Sequence, residues 1–565
     1  MREHPPIRRN SQDEEGGVRG ELVERVSKTV DDVQVKAAIL SVADKSGLVD
    51  FAKGLRSFEI SLLATGGTYT ALREAGVEVK SLGEAMGLSE ALDGRVKTLH
   101  SNLFAAILAK RGDAGHMREL ESMGVSPIDM VVCNFYPFER VARDPASTDE
   151  TVVENIDIGG PSMVRASTKN HAYVTVVPSP RFYAPVLDEL TKKRGKVGLG
   201  FRRSLAVEAF AITSSYDAAI YNELRRRFAP GEVFPGRFVL SASKHQDARY
   251  GENPDQKAAI YSIDGSKSMT AWRQLSGEPL SFNNYLDIGS AYDILEGFEG
   301  VPAAATVKHG QISGFAFAPT VAGAYALAHA CDPEADFGGT VVVNREVDEA
   351  AALLIGKNEG VKDDSVYTEI LIAPGYEPAA REMLAAKQKK KIRMIEAVGR
   401  PEYGYDIKEL EGALLLQEAA DYRKKLDGSK LTFPTKAKPD EGTVLKLLAT
   451  WEVVRRVQSN GIVIADGRTA KGEALQEFWT LGVASFRKRS GAVKIALDNA
   501  GARAKGTVCA SDGFFPFRDN VDLLGKAGVV AVIQPGGSIS DAEVVKAADQ
   551  YGIAMAMTHT RAFKH

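Results

Sequence analysis

The chain has few of the features that would place it in a membrane, in an oxidising compartment or on nucleic acid. Its three cysteines, Cys133, Cys331 and Cys509, are far apart and form no CxxC pair, which excludes a disulfide framework and a zinc-ligand spacing. No apolar run approaches the roughly 20 residues that span a bilayer. The formal net charge of -3 provides no basic field for nucleic acid. These absences predict a cytoplasmic globular protein.

The length of 565 residues predicts more than one domain, because a single hydrophobic core stops growing at about 250–300 residues. The first residues carry charges but no apolar stretch behind them, so they are not typical of a signal peptide and predict a disordered extension over 1–34. The breaker cluster FAPG at 228–231 predicts a boundary near 228–237. We therefore expect one domain over 35–232 and a second region over 236–565 that divides into two lobes.

Strand and helix patterns alternate along both parts, which predicts an α/β fold with a mostly parallel sheet. The expected strands lie at 35–42, 60–64, 130–134, 173–177, 303–308, 340–344, 370–372, 461–465, 508–510 and 529–534. The expected helices lie at 48–56, 65–75, 200–227, 321–330, 443–458 and 541–551. The charged stretch KQKKKIR at 387–393 is expected on an exposed surface, since such runs are usually solvated rather than nucleic-acid sites.

Three segments of the first half together predict a phosphorylated ligand. SVADKSG from Ser41 and ATGGT from Ala64 each follow a strand and open a helix, where glycine and free N–H groups favour an anion. DGRVKTLH then offers two cations and a hydroxyl within four residues. Each signal alone is weak, because a Gly-Gly turn is more often a plain cap and Arg-x-Lys is usually solvated. Their joint occurrence at strand ends favours a ligand site.

These segments, with CNFYPF and NIDIGGPSMVRASTKNH, resemble the IMP cyclohydrolase part of the bifunctional purine biosynthesis (AICAR transformylase/IMP cyclohydrolase) family, in order and approximate spacing. The resemblance covers about 35–210 and implies a methylglyoxal-synthase-like domain. It implies that the phosphate and ribose are held by Ser41, Lys45, Thr65, Gly66, Gly67, Thr68, Arg95, Lys97 and Thr98. It places Asn134, Tyr136, Asp157, Ile158 and Lys169 around the base.

The ring-closing reaction explains several of these residue types. A carboxamide nitrogen attacks a formyl carbon, and water is then lost. A cation such as Lys97 or Lys169 can stabilise the oxyanion, and Asp157 can orient the amide nitrogen or accept its proton. Tyr136 can relay a proton to the departing hydroxyl. Taken alone, Asp157 before two glycines is equally typical of a turn, and Tyr136 before proline of a packed aromatic residue, so no single acid or base is assigned.

The second half carries ARYGENP from Ala248, TVKH from Thr306, FGG from Phe337, QSN from Gln458 and SDGFFPFRD from Ser511. In this order they resemble the AICAR transformylase part of the same family, from about residue 241 to the C-terminus. The resemblance implies two cytidine-deaminase-like lobes, a homodimer with shared sites, and 10-formyltetrahydrofolate as co-substrate. It places Arg249, Tyr250, Gly338, Glu369, Phe514 and Arg561 at the nucleotide, and Asp519, Asn520 and Ser538 at the folate.

Formyl transfer requires an aromatic amine to lose a proton as it attacks. A neutral His309 is the natural base, and the adjacent cation Lys308 can stabilise the tetrahedral oxyanion. The resemblance implies that Asn460 holds the carboxamide. The chain contains neither HxE nor PCxxC, so no catalytic zinc is expected.

One segment departs from the family pattern. After Asn460 the family usually has GIGAGQxSR, whose arginine contacts the nucleotide, whereas this chain has KGEALQEFWT at 471–480. We expect Thr480 in place of that arginine, with Arg487 or Lys488 as a substitute cation. Retained transformylation is favoured, because Lys308, His309 and the FFPFRD segment are present.

Two other functions remain open from the sequence. One is an IMP cyclohydrolase whose second half is weakened or uses a formyl donor other than folate. The other is a nucleotide-sensing regulatory module, since such modules share the TGGT loop. A sensor needs phosphate ligands but not the proton-transfer set of Tyr136, Asp157 and the two lysines, so this interpretation is the weaker one.

Overall fold

The computed structural model describes residues 31–87, 95, 98–356, 368–387, 392–399, 404–469 and 474–565. The chain divides into two compact units, one ending at Ser241 and one comprising Ala242–His565. Most of the expected N-terminal extension lies outside the described residues, but Asp32–Gln34 form a strand that pairs with Lys196–Gly198. The expected disordered segment therefore extended too far into the chain. No helix among the described residues is long and apolar enough to cross a membrane.

The first unit is a five-stranded parallel sheet with helices packed around it. Its strands are β1 Asp32–Gln34, β2 Ala37–Val42, β3 Ser61–Ala64, β4 Lys80–Ser81, β5 Met130–Asn134, β6 Thr175–Val177 and β7 Lys196–Gly198. Its helices are α1 Leu48–Arg56, α2 Gly66–Glu74, α3 Leu82–Met86, α4 Ser101–Leu108, α5 Ala114–Ser122, α6 Phe138–Ala142, α7 Asp149–Glu154, α8 Gly159–Lys169, α9 Tyr183–Lys192 and α10 Leu199–Phe228. The sheet order is β4-β3-β2-β5-β6, and β1 and β7 form a separate antiparallel pair.

The central strands β2 and β5 are apolar over nearly their whole length because both faces of the sheet are covered. The chain leaves β2 towards β3 on one side and returns to β5 on the other, so the strand order reverses between β2 and β5. Open parallel sheets bind ligands outside the carboxyl ends of the strands at such a point.

The second unit is built on one mixed sheet of eleven strands. The strands of this sheet are β10 Arg273–Gln274, β11 Ala303–Lys308, β12 Gln311–Phe317, β13 Gly339–Val343, β14 Thr368–Ala373, β15 Arg393–Glu396, β18 Gly461–Thr469, β19 Leu475–Ser485, β20 Val508–Ser511, β21 Ala531–Gln534 and β22 Ala554–Met557. Two separate antiparallel pairs are formed by β8 Ala242–Asp247 with β9 Ala259–Ile263, and by β16 Tyr405–Leu410 with β17 Ala413–Glu418. The helices of this unit are α11 Phe282–Leu295, α12 Val321–His329, α13 Glu349–Ile355, α14 Pro378–Lys387, α15 Glu441–Val454, α16 Arg489–Ala500, α17 Asp519–Lys526 and α18 Asp541–Tyr551.

The eleven strands repeat one pattern twice. The order β12-β11-β13-β14-β15 on one side matches β19-β18-β20-β21-β22 on the other, and β12 pairs with β19 between them. In each half a helix precedes the first strand and one follows each of the next three strands. The pairs at the centre of the sheet are antiparallel, and so is the edge pair β10–β15. Only the pairs of β14 with β13 and β15, and of β21 with β20 and β22, are parallel, so the expectation of a mostly parallel sheet is wrong for this unit.

Two equivalent glycines mark the duplication. A Cβ on Gly314 of β12 would lie 2.0 Å from the carbonyl oxygen of Ala328 in α12. A Cβ on Gly482 of β19 would also lie 2.0 Å from a helix carbonyl oxygen, that of Ala496 in α16. Only glycine lets each helix approach its strand this closely.

Candidate active sites

A cavity of about 820 Å³ opens at the carboxyl ends of β2, β3 and β5 in the first unit. Its lining includes the following residues of the expected cyclohydrolase set: Ser41, Lys45, Thr65, Gly66, Gly67, Thr68, Arg95, Thr98, Asn134, Tyr136, Asp157 and Ile158. Segments that are distant in sequence are thus brought together at the reversal of the strand order. Lys97 was expected with them but lies outside the described residues.

The TGGT segment forms one wall of this cavity. Thr65 has extended backbone and precedes α2, whose first residue, Gly66, has φ of 38°. The Thr68 hydroxyl accepts the Val42 N–H at 3.0 Å and donates to the Val42 carbonyl at 3.1 Å, which fixes α2 against β2. The Ser41 and Thr65 hydroxyls are 2.9 Å apart. The wall therefore combines two hydroxyls with the free N–H groups of a helix N-terminus, which suits an anion.

Asn134 lines the cavity and also holds one of its loops, and its expected place at the base stays a prediction. Its Oδ1 accepts the N–H groups of Ala43 at 2.7 Å and Asp44 at 2.9 Å, and its Nδ2 donates to the Asp44 carbonyl at 2.9 Å. Both ends of the amide therefore hold the loop between β2 and α1, the loop that carries Lys45.

The opposite wall is the N-terminus of α8. Asp157 Oδ1 accepts the Gly160 N–H at 2.8 Å. A Cβ on Gly159 would lie 2.2 Å from Thr98 Oγ1, and one on Gly160 would lie 2.6 Å from Asp157 Oδ2, so neither position has room for a side chain. Burial raises the pKa of the Asp157 carboxyl, while the N–H groups of Gly160 and Tyr136 oppose the shift. A base with a raised pKa holds a proton more readily once it has accepted one.

Tyr216 of α10 is a member of this site that the sequence did not indicate. Its hydroxyl accepts the backbone N–H of Asp157 at 2.8 Å, and its ring packs against Phe135 and Phe138. Burial raises the pKa of Tyr216 to about 12, so the hydroxyl stays protonated. It lies far along the chain from Asp157, and no local motif marks it.

Two further expected residues differ in their relation to the cavity. Arg95 is exposed and forms an ion pair with Glu154, which also lines the cavity. Lys169 is the last residue of α8, ten positions after Gly159, so it lies about 15 Å along the helix from the cavity wall. Lys169 is exposed there and does not line the cavity, so the structure does not support its expected place beside the reacting atoms.

In the second unit the candidate residues lie along one edge of the sheet. Lys308 ends β11, and the antiparallel β13 begins beside it after Gly338. Following the strand directions through β12 and β19, the same edge holds the amino end of β18 and the carboxyl ends of β20, β21 and β22. Asn460 directly precedes β18, Asp512 directly follows β20, and Gly536 lies two residues after β21. The sheet topology thus brings both halves of the expected set to one edge.

Lys308 and His309 lie at the hairpin between β11 and β12. Lys308 pairs with Gln311, so His309 and Gly310 form a two-residue turn with φ of 52° and 71°. The imidazole is exposed at the tip. Lys308 Nζ donates to the Phe337 carbonyl at 2.7 Å, next to Gly338.

An ionic group borders this hairpin. Glu369 at the start of β14 accepts Arg393 Nη1 at 3.0 Å and Asn284 Nδ2 at 3.1 Å. Arg393 is buried at the start of β15, which corrects the expectation that the whole stretch 387–393 is exposed. Arg249 pairs with Glu278, and its Nη2 donates to the Tyr250 hydroxyl at 2.8 Å.

A second group lies at the ends of β18 and β20. Arg489 is buried and donates to Asn460 Oδ1 at 2.7 Å, to Ser511 Oγ at 2.9 Å and to Asp512. Asn460 Nδ2 donates to the carbonyls of Phe486 and Arg487, both at 3.1 Å. The Asn460 amide is thus engaged within the protein, and its expected contact with a carboxamide stays a prediction.

Of the segment 471–480, which was expected to replace the family's glycine-rich loop, residues 475–480 form the start of strand β19, and 471–473 lie outside the described residues. Thr480 is fully buried, and its hydroxyl accepts the Phe315 N–H at 2.9 Å from β12. It therefore cannot contact a ligand, so its expected position at the nucleotide is wrong. The buried cation at the site is Arg489, whereas Arg487 and Lys488 are exposed.

Aromatic and polar residues complete this end of the sheet. The guanidinium of Arg561 lies 5.7 Å from the ring centre of Phe514 and 5.8 Å from that of Phe563. Asn520 donates to Asp519 at 2.8 Å, and its buried Oδ1 has no partner among the described residues. Ser538 lies in the loop between β21 and α18, where its hydroxyl accepts the Ser540 N–H at 3.1 Å.

The two groups of the second unit are apart within one chain. Strands β12 and β19 lie between β11 and β18. At about 4.8 Å between neighbouring strands, the ends of β11 and β18 are separated by roughly 14 Å. Within the described residues no group of three or more His, Cys, Asp or Glu side chains is arranged to hold a metal ion.

Comparisons with known proteins match two family models to this chain. The AICARFT/IMPCHase bienzyme family model matches residues 167–497, and an MGS-like domain model matches residues 47–162. The chain is 42% identical to the bifunctional purine biosynthesis protein PurH of Shouchella clausii over 94% of this chain and 100% of that one. It is 39% identical to PurH of Bacillus subtilis over the same shares. The solved structure of ForH matches 34% of this chain and 99% of its own, at 34% identity and a TM-score of 0.30.

Proposed function

The chain belongs to the AICARFT/IMPCHase bienzyme family, and from that membership we propose which residues carry each of its two reactions. The protein is a bifunctional enzyme of purine biosynthesis that formylates AICAR and closes formyl-AICAR to IMP with loss of water. The relatives extend over both units, so a sensing module built from the first unit alone does not account for the chain.

We assign ring closure to residues 35–232 and formyl transfer to residues 236–565. The first assignment rests on the cavity at the reversal of the strand order, which collects the phosphate-binding and proton-transfer candidates. The second rests on the shared edge of the eleven-stranded sheet. The repeated strand order supports two related lobes of the cytidine-deaminase type in the second part.

For ring closure, the nucleotide phosphate binds against α2, with Lys45, Thr65 and the TGGT backbone. The base then reaches the N-terminus of α8. Asp157 accepts the proton from the attacking carboxamide nitrogen, and its raised pKa suits this role. The N–H groups of α8 and a cation stabilise the oxyanion that forms at the former formyl carbon. Asp157 then returns that proton to the oxyanion, which becomes a hydroxyl. Tyr136, exposed at the cavity, donates the proton with which this hydroxyl leaves as water. The resulting phenolate takes up the proton that the former formamide nitrogen loses as the C=N bond forms.

For formyl transfer, His309 accepts the proton of the AICAR amine as it attacks the formyl carbon. Lys308, held by the Phe337 carbonyl, stabilises the tetrahedral oxyanion. The donor is 10-formyltetrahydrofolate, which leaves as tetrahydrofolate, and Asp519, Asn520 and Ser538 form its side of the site. The buried Oδ1 of Asn520 provides an acceptor for a donor group of such a ligand.

We infer that the enzyme acts as a homodimer with formyl-transfer sites completed by two chains. The roughly 14 Å between the β11 and β18 ends leaves His309 apart from Arg489 and Phe514 within one chain. Mixing His309→Ala and Arg561→Ala chains tests this inference. Shared sites restore about a quarter of the activity, because half the dimers are mixed and each keeps one intact site. Sites within single chains restore nothing.

The direct test of function supplies purified enzyme with AICAR and 10-formyltetrahydrofolate, and separately with formyl-AICAR, and follows IMP by absorbance. IMP from both substrates is expected. IMP from formyl-AICAR alone would mean that the second unit is weakened or uses another formyl donor. His309→Ala should abolish only the first reaction, and Asp157→Asn should abolish IMP formation in both assays while formyl-AICAR accumulates in the first.

A further inference from the structure

The hairpin that carries His309 has an unusual backbone. Both residues of its two-residue turn have positive φ, 52° at His309 and 71° at Gly310. This is the geometry of the primed turns that suit the twist of paired strands. Left-handed backbone is unfavourable for any residue with a Cβ, and His309 has no glycine-like freedom to adopt it. The turn therefore needs a contact that holds it.

Asp287 supplies that contact. It lies on α11, one turn after Asn284, and its Oδ1 accepts the Gly310 N–H at 2.7 Å. The bond runs from a regular helix to the tip of the hairpin, across 23 positions of sequence. Gly310 N–H has no other role in the strand pairing, because only Lys308 and Gln311 are partners at this end. The carboxylate thus ties the turn to a rigid element.

The Asp287 carboxylate also lies close enough to the His309 imidazole to interact with it electrostatically. Burial and the proximity of Glu369 raise the pKa of Asp287, while the Gly310 N–H and His309 lower it. Glu369 is itself paired with Arg393, and Lys308 is turned to the Phe337 carbonyl. Asp287 is therefore the nearby carboxylate that is not neutralised by an arginine in the described structure.

We propose that Asp287 is a positioning residue for formyl transfer, which holds the turn at Gly310 and so places the His309 imidazole for proton transfer from the AICAR amine. The proposal rests on His309 being the base of that reaction. A misplacement of about 1 Å in a reacting group lowers rates by as much as about 100-fold. The carboxylate also favours the protonated imidazole that forms during the reaction.

The test compares Asp287→Ala with Asp287→Asn. The alanine variant should lower kcat for formyl transfer by roughly 10- to 100-fold with the KM for AICAR changed less than about threefold. The asparagine variant keeps an acceptor for the Gly310 N–H and should recover most of kcat.

Asp348→Ala is the matched control. Its carboxylate also accepts a backbone N–H at 2.7 Å, that of Ala351, but at the start of α13. It should leave kcat for formyl transfer unchanged. Ring closure of formyl-AICAR by the first unit should be unchanged in every variant. All three tryptophans of the chain lie in the second unit, so a tryptophan fluorescence spectrum like that of the wild type shows that this unit is folded in each variant.

An unchanged kcat in Asp287→Ala would overturn the proposal. Equal losses in Asp287→Ala and Asp348→Ala would also overturn it, since the effect would then be general destabilisation. His309→Ala is measured in parallel, because full formyl transfer by that variant would refute the base assignment itself and not only the role of Asp287.

Discussion

Replacing Arg489 by methionine should destabilise the second unit by about 3–5 kcal/mol, because it leaves a buried carboxylate without its counter-charge. Asp512 is fully buried, and one of its oxygens is paired with Arg489. Its other oxygen has no partner among the described residues. The side chain of Asp512 thus depends on the guanidinium, which also holds Asn460 and Ser511. Methionine fills similar space but provides none of these bonds.

The loss of stability of the second unit can be measured separately from the first unit. The chain has three tryptophans, Trp272, Trp451 and Trp479, and all lie in the second unit. Urea titration followed by tryptophan fluorescence therefore reports its unfolding. With an m-value of about 3 kcal/mol/M or more for a unit of this size, the midpoint should fall by roughly 1 M. Formyl transfer should be lost, while ring closure should persist.

Two further variants decide the interpretation. Arg487→Met removes an exposed cation two positions away from Arg489. The free energy of unfolding of this variant should differ from that of the wild type by less than about 0.5 kcal/mol. Asp512→Asn combined with Arg489→Met should recover part of the stability, since no unpaired charge is then buried. A single Arg489→Met variant as stable as wild type would refute the buried-pair reasoning.

The remaining predictions concern ring closure and the duplicated fold. Asp157→Asn should abolish ring closure and leave formyl transfer intact. A rate of ring closure in this variant within about tenfold of wild type would contradict the base assignment. In the wild type, kcat for ring closure should rise with pH through a pKa above the ordinary aspartate range. Tyr216→Phe removes the acceptor of the Asp157 N–H and should lower kcat for ring closure about tenfold with little change in KM, measured with formyl-AICAR. Gly482→Ala and Gly314→Ala each place a Cβ 2.0 Å from a helix carbonyl and should destabilise the second unit by about 1–3 kcal/mol or more in the same urea titration; unchanged midpoints would mean that the helices can move away.

Local sequence patterns predicted the elements whose signal lies within one segment. The helix at 48–56, the strands at 130–134 and 303–308 and the helix at 541–551 have the expected bounds. The two helices have apolar residues at helical spacing, and the two strands are short, continuous apolar runs. The cavity of the first unit could also be predicted from local patterns. The segments that line it follow predicted strands, and the carboxyl ends of parallel strands lie at the same end of a sheet.

Local sequence patterns did not predict the features that depend on contacts between distant segments of the chain. Tyr216 reaches Asp157 from a helix that begins at Leu199, far along the chain, and has no motif of its own. Arg393 follows a run of lysines, so its charge indicated solvent, yet it begins a strand beside Glu369. The join of β12 to β19 unites the two expected lobes in one sheet, and it involves two adjacent residue pairs only. Such contacts follow from the three-dimensional arrangement and not from periodicity.

The position of Arg489 shows why spacing along the sequence did not indicate a cation near Asn460. The interpretation of 471–480 as the altered loop assumed that the segment after Asn460 keeps the family's spacing. The structure extends β18 to Thr469 and gives β19 eleven residues, so the chain returns to the amino end of β18 only at 486–489. Gly461 pairs with Ser485, and this strand pairing holds both ends of the hairpin base together. Arg489 follows directly and donates to Asn460 Oδ1 at 2.7 Å. The two residues are therefore neighbours because of strand pairing, although 29 positions separate them in the chain.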